Sequence, residues 1–155
     1  MPRIWKFEDN INTDVITPGR FNLTTDRNAL AKCCFCEIRP EFAAGVKTGD
    51  IIVAGKNFGC GSSRETAPLA IKSCGISVVI AESFARIFYR NAINIGLPAI
   101  VIKDAQQLFA DVEEAVIDLE KNTVWKNGTA ISFEPFPDFV KEIFNAGGLI
   151  EYIDR

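Results

Sequence analysis

Between positions 57 and 65 the chain reads Asn57-Phe58-Gly59-Cys60-Gly61-Ser62-Ser63-Arg64-Glu65, which sets glycines, hydroxyls, a guanidinium and a carboxylate side by side directly after the apolar run Ile51-Ile52-Val53-Ala54. A glycine-rich turn leaving a buried strand can take unusual backbone angles and leave N–H groups open to an anion, as at a phosphate- or carboxylate-binding helix start. Arg64 could grip a carboxylate in a bidentate fork, and Ser62 or Ser63 could bind or deprotonate what lies beside it. The plainer alternative is that Arg64 pairs with Glu65 or another acid at the surface, where an ion pair contributes little. The chain has no histidine, so neither a Ser-His nor a Cys-His pair can be built from it alone. Acid–base catalysis at this loop would draw some of its groups from a partner.

The elements that must hold this loop follow from the apolar spacing. Trp5 to Phe7 reads as an opening strand, followed by a polar turn-forming loop from Glu8 to Asp14 and a Pro18-Gly19 turn. Leu30 to Ile38 has helical spacing, and Ile51 to Ala54 is a strand. Pro68 is tolerated only in a first helical turn, which starts the next helix near Arg64 to Ala67. Ser62 and Glu65 have the spacing of a capping box, so Ser62 either caps that helix or is free to act on a ligand. Ile76 to Ala81 is a buried strand, Ser83 is placed to cap a helix through Ile95 that stops at Gly96, and Leu97 to Ile102 is another strand. This is a βαβαβ unit, α/β in class, whose ligand site lies beyond the carboxyl ends of its strands. Further on, Ala115 to Phe133 with its Asn127-Gly128 turn suggests short antiparallel strands, and Pro137 to Phe144 a helix stopped by Gly147-Gly148. Phe133, Phe136, Phe139 and Phe144 read as core.

With 155 residues and 48% apolar content the chain fits one domain over 1–155. A net charge of -3 without a Lys/Arg block gives no footprint for nucleic acid or an anionic membrane. No bilayer-length apolar stretch and no signal-peptide core are present, which points to the cytoplasm. Five cysteines, an odd number, argue for reduced thiols over a disulfide framework. Cys33, Cys34 and Cys36 contain a C-x-x-C spacing without a second ligand pair, and read as small buried residues rather than a metal site. Cys60, between two glycines, is the thiol placed to lie near a ligand, yet alone it cannot hold an iron–sulfur cluster.

Three segments carry a resemblance that covers essentially the whole chain: Asp9-Asn10-Ile11-Asn12-Thr13-Asp14 running on to Pro18-Gly19-Arg20; Asn57 to Pro68; and Ser83-Phe84-Ala85-Arg86-Ile87-Phe88-Tyr89-Arg90-Asn91 running on to Pro98. The sequence resembles the small subunits of 3-isopropylmalate dehydratase, within the aconitase superfamily. That resemblance implies a swivelling β/β/α domain that closes over a large subunit carrying a [4Fe-4S] cluster on three cysteines, with the family's catalytic histidines on that other chain. It implies a hydro-lyase active only with its large subunit, isomerising an alkylmalate by dehydration and rehydration in leucine biosynthesis. Ser62 resembles the serine that abstracts a proton alpha to a carboxylate, while the open iron of the cluster takes the hydroxyl as a Lewis acid. Ser63 and Arg64 resemble the substrate-binding pair, with Gly61 and Cys60 beside them, and Asp14 resembles the acid that orients a partner histidine. No metal is implied on this chain. A serine hydroxyl is a poor base in water, so the role asks Arg64, the helix start and the glycine N–H groups to favour the alkoxide, and asks that Ser62 not be consumed as a cap.

Substrate choice in the family depends on the loop after Pro18-Gly19-Arg20. Relatives acting on tricarboxylates place an arginine there, whereas isopropylmalate enzymes have an apolar side chain. Leu23 suits an alkyl substituent, since an apolar wall would leave a third carboxylate unpaired. Phe21-Asn22-Leu23 replaces the family's usual Tyr-Leu approach to that position, and Arg27 could reach in. Homoaconitase or 2,3-dimethylmalate dehydratase small subunits are therefore the enzymatic alternatives. A non-catalytic anion-binding module is the alternative of another class, although the loop lacks the Gly-Lys-Ser/Thr ending of a nucleotide-binding P-loop.

Overall fold

Four short apolar strands set the architecture, because alternate side chains on each are buried against opposite layers. The structure is a computed structural model that describes residues 1–19 and 26–154. β1 (Ile4–Lys6), β2 (Ile51–Ala54), β3 (Val78–Ala81) and β4 (Ala99–Val101) form one parallel sheet in sequential order. Ile51 pairs with Ile4 and Val78, and Ile80 with Ile100. β2 and β3 occupy the middle and are buried along their whole length. Trp5, Ile52, Val79 and Ala99 pack into one cluster, and Ile4, Ile51, Val53, Val78, Ile80 and Ile100 into the other. Each fully buried Val or Ile contributes about 1.5–3 kcal/mol, which makes these strands the anchor of the fold.

One face is covered by helices: α1 (Thr13–Ile16), α2 (Arg27–Cys33) and α3 (Glu41–Gly45) between β1 and β2, α4 (Thr66–Ser73) between β2 and β3, and α5 (Arg86–Asn94) between β3 and β4. Their Ile16, Leu30, Phe42, Ala70, Ile71 and Phe88 fill the first cluster. The other face receives α6 (Ala105–Leu108), then an antiparallel sheet of β5 (Val116–Asp118), β6 (Thr123–Lys126) and β7 (Thr129–Ser132), then α7 (Asp138–Ala146); α8 (Leu149–Asp154) follows. Ala105, Val124, Phe136 and Val140 fill the second cluster. Antiparallel sheet, parallel sheet and helices thus form the β/β/α layering expected, and β2-α4-β3-α5-β4 is the βαβαβ unit.

The Asn127-Gly128 hairpin joins β6 to β7 with both residues at positive φ, 47° and 74°, as a two-residue turn between right-twisted strands requires. Four differences from the sequence reading have identifiable causes. The helix expected over Leu30 to Ile38 runs instead over Arg27–Cys33, because Phe35 takes a left-handed backbone (φ 57°) that turns its ring onto Phe7, 4.3 Å between centroids. The Glu8–Asp14 loop ends in α1, capped by Asn12. Gly147 does end α7, yet α8 starts two residues later. Phe139, expected in the core, is 60% exposed, whereas Phe133 and Phe136 are buried and Phe144 packs edge-on against Phe136.

Candidate functional site

The pairing of β1 with β2 continues irregularly past the strand ends, and this continuation builds the site. Asn10 N–H donates to the Lys56 carbonyl at 2.8 Å, Gly59 N–H to Ile11 at 2.7 Å and Thr13 N–H to Cys60 at 2.8 Å. Two segments leaving the carboxyl ends of neighbouring parallel strands therefore run side by side and deliver Asp14 and Ser62 to the same end of the sheet. A third strand contributes through Ser83, whose hydroxyl accepts the Asn57 N–H at 2.8 Å and whose carbonyl accepts that of Phe58 at 3.0 Å. Ser83 is thus not the expected cap of α5; Ala85 holds that position without a side-chain bond. Phe58 is fully buried, with ring centroids 6.0 Å from Phe84 and 5.2 Å from Phe88. Gly59 sits at φ +84°, and a Cβ there would lie 2.2 Å from Phe88 Cγ, so only glycine passes beneath that ring.

Beyond this root the loop emerges into solvent. Gly61, at φ +95°, Ser62 and Ser63 are exposed. α4 begins at Thr66 with Glu65 as its N-cap residue and no side-chain capping bond, and Pro68 falls in the first turn as expected. The competition over Ser62 is thereby resolved: it does not cap, and its Oγ has no hydrogen-bond partner among the described residues. The N–H groups of Gly61, Ser62, Ser63 and Arg64 likewise donate to nothing among the described residues. Four unpaired backbone donors in the segment leading into α4 are the kind of group that a carboxylate can accept from.

Arg64 is committed on one edge. Its Nη1 donates to Asp14 Oδ1 at 2.9 Å and to the Thr17 carbonyl at 3.2 Å. The acid it meets is therefore Asp14 from the neighbouring segment, not Glu65. Arg64 holds the Asp14 carboxyl below the usual carboxylate range, and the Gly19 backbone adds to that effect. Nη2 and Nε have no hydrogen-bond partner among the described residues, which leaves the other edge of the guanidinium for an incoming carboxylate. Cys60 is half-buried, its carbonyl held by Thr13. Leu23, the expected wall for the alkyl substituent, lies outside the described residues, as do Arg20 and Phe21.

Among the described residues no three His, Cys, Asp or Glu side chains gather on one point. Cys33 and Cys34 are buried, as expected, and Cys36 partly so. Burial pushes the Cys34 thiol well up, and a hydrogen bond from Cys34 draws Cys74 down. No helix among the described residues is long and apolar enough to cross a membrane. Sequence reasoning missed Thr13, whose N–H and hydroxyl both reach the 57–65 loop. The available signal was Asn12, a capping residue followed by Asp14 in a first turn and by apolar Val15-Ile16, which places Thr13 at the start of a helix.

Residues 42–105 match the family model described as the aconitase C-terminal domain. Over 151 residues, 96% of this chain and 90% of the relative, the sequence is 54% identical to a 3-isopropylmalate dehydratase small subunit of Caldicellulosiruptor bescii. It is 51% identical over 154 residues to small subunit 1 of the same enzyme from Archaeoglobus fulgidus, covering 98% of this chain and 95% of the relative. The crystal structure of a 3-isopropylmalate dehydratase from Methanocaldococcus jannaschii superimposes with a TM-score of 0.92 at 47% identity, covering 99% of this chain and 92% of that one.

Proposed function

The chain belongs to the family of 3-isopropylmalate dehydratase small subunits, and from that premise we propose how its own residues take part in the reaction. It works as one half of a hydro-lyase in leucine biosynthesis, and its partner is the large subunit. Residues 1–155 act as a single swivelling domain in the cytoplasm. Isopropylmalate is the substrate, and the [4Fe-4S] cluster belongs to the large subunit, where it would supply a Lewis acid for the departing hydroxyl. What remains for this chain is to bind, orient and move a proton.

The free edge of Arg64, the hydroxyl of Ser63 and the open N–H groups from Gly61 to Arg64 seat a substrate carboxylate. Cys60 and Gly61 shape the floor of that seat. Ser62 Oγ, uncapped and exposed, removes the proton alpha to the carboxylate and returns one on rehydration. Its alkoxide is favoured by the same N–H groups, by the start of α4 and by Arg64, all of which act more strongly once closure against the large subunit excludes water. Asp14, kept ionised by Arg64, orients a histidine that the large subunit contributes. Leu23 lines the alkyl side of the substrate.

The observation that carries this reading is the release of Ser62 from helix capping beside a half-used arginine fork. Its test is reconstitution. The chain mixed with a cluster-loaded large subunit should turn over isopropylmalate, with neither component active alone and with homoaconitate and 2,3-dimethylmalate as poorer substrates. Turnover by this chain by itself, or failure to associate with the large subunit, would overturn it. Preference for either competing substrate would leave the proton-transfer roles intact and replace the assignment of Leu23.

A further inference from the structure

We propose that Thr13 is a positioning residue for Ser62, setting the backbone from which the serine acts; the inference rests on Ser62 being the base. Thr13 is 2% exposed and opens α1, one residue before Asp14. Its N–H donates to the carbonyl of Cys60 at 2.8 Å and its Oγ1 to the carbonyl of Ser62 at 2.9 Å. The two accepting carbonyls flank Gly61, whose φ of +95° turns the chain between them. An ideal Cβ at Gly61 would lie 3.6 Å from Thr13 Oγ1 and 3.5 Å from Asn12 Cβ, so the gap between the two segments at this point is no wider than one methyl group.

The hydroxyl bond matters because, apart from the bonds of the Arg64 side chain to Asp14 and Thr17, little else holds the tip. The N–H groups of Gly61, Ser62, Ser63 and Arg64 donate to nothing among the described residues. The Cys60 carbonyl is fixed by a backbone donor that any residue at 13 except proline would supply, whereas the Ser62 carbonyl is fixed by a side chain. Only serine, threonine or another short donor at that position could make the bond. Because the peptide plane carrying the Ser62 carbonyl also sets the direction of the Ser63 N–H, the Thr13 hydroxyl orients both the serine and one of the carboxylate donors. It also keys them to α1, which carries Asp14. A displacement of about 1 Å at a reacting group can cost on the order of 100-fold in rate.

The test uses the reconstituted two-subunit enzyme and three variants. Thr13→Val keeps the shape and removes the donor; it should lower kcat about 10- to 100-fold with a smaller change in KM. Thr13→Ser keeps the donor and should restore activity to near the parent level. Ser62→Ala, measured alongside, separates the two ideas. A fully active Ser62→Ala enzyme overturns the base assignment and this inference with it. An inactive Ser62→Ala enzyme beside a Thr13→Val enzyme within twofold of the parent overturns the positioning role alone. Backbone amide chemical shifts of the free chain supply a reading that does not depend on assembly. Shift changes in Thr13→Val centred on the Ser63 amide, whose peptide carbonyl loses the Thr13 bond, and confined to residues 60–64 and 12–14 support the inference; unchanged shifts at Ser63, or changes spreading through β2 and α4, overturn it.

Discussion

The root and the tip of the 57–65 loop are a few residues apart and obey opposite rules. At the root, Phe58 is fully buried between Phe84 and Phe88, Gly59 admits no side chain, and the N–H groups of Asn57, Phe58 and Gly59 are all bonded to other segments. At the tip, Gly61, Ser62 and Ser63 are exposed, and their N–H groups have no acceptor among the described residues. Packing and satisfied hydrogen bonds determine stability, whereas unsatisfied donors and an unpaired hydroxyl are what a charged substrate can use. Substitutions at the root should therefore act on folding and those at the tip on turnover, with little exchange between the two.

The sharpest separation is expected of Ser62→Ala. In the reconstituted enzyme kcat should fall by about 10²- to 10⁴-fold, the range for loss of a positioned general base, while the melting temperature of the free chain stays unchanged. A melting shift of several degrees would show that Ser62 supports the fold and would blur the division. Phe58→Ala should do the reverse, destabilising the free chain by about 3–5 kcal/mol in denaturant unfolding through lost burial and a cavity. A well-folded Phe58→Ala chain of parent stability would break the comparison from the other side. Arg64→Lys keeps the charge but loses the fork. The lost charge-assisted bond, about 1.5–3 kcal/mol, should raise KM tenfold or more without moving the melting temperature.

How far the sequence disclosed these two regions follows from the range of the interactions. The glycine loop after an apolar strand, the start of α4 fixed by Pro68 and the Asn127-Gly128 hairpin are written in neighbouring residues, and each stands where it was expected. Ser83 has the local signature of a cap, but pairing of Phe84 with Phe58 draws it to the Asn57 N–H, a contact 26 residues away. Ser62 and Glu65 satisfy the spacing of a capping box, yet the bond from Thr13 to the Ser62 carbonyl holds the loop open and leaves the cap unmade. Phe139 was indistinguishable from its aromatic neighbours in composition, and only the placement of α7 puts it outside. The partner of Arg64 was open between Glu65 and some other acid, because Asp14 is 50 residues away and reaches it only through the paired segments.

Asp50 extends the root's rule to a charge. It is 2% exposed at the turn into β2; burial alone would raise its pKa, but the Lys47 and Arg3 N–H groups and the Trp5 indole outweigh that and hold it below the usual carboxylate range. With the folded pKa below the unfolded one, its contribution is fully present above the unfolded value and is lost as pH falls through the folded one. Asp50→Asn should cost about 1–3 kcal/mol at neutral pH, because a donor amide then faces donors, and should flatten the acid limb of stability against pH. An unaltered acid limb would assign acid unfolding to other carboxylates.

Asp14 is the matching test at the tip, and the smallest effect expected. Its carboxyl is also held below the usual range, first by the hydrogen bond from Arg64 and then by that guanidinium's charge. The sign is the same as for Asp50: the pair helps folding above the unfolded pKa and ceases to help as pH falls through the folded one. The side chain of Asp14 is 62% exposed, however, so solvent screens the interaction and the free chain should melt alike with or without it. Arg64→Gln should move the Asp14 carboxyl upward in a carbon-detected NMR titration while leaving thermal unfolding unchanged. A titration that does not move would mean that Arg64 does not keep Asp14 ionised. A melting temperature that falls with it would mean that the ion pair belongs to the root after all, holding α1 against the start of α4 as structure rather than leaving both ends free for a partner.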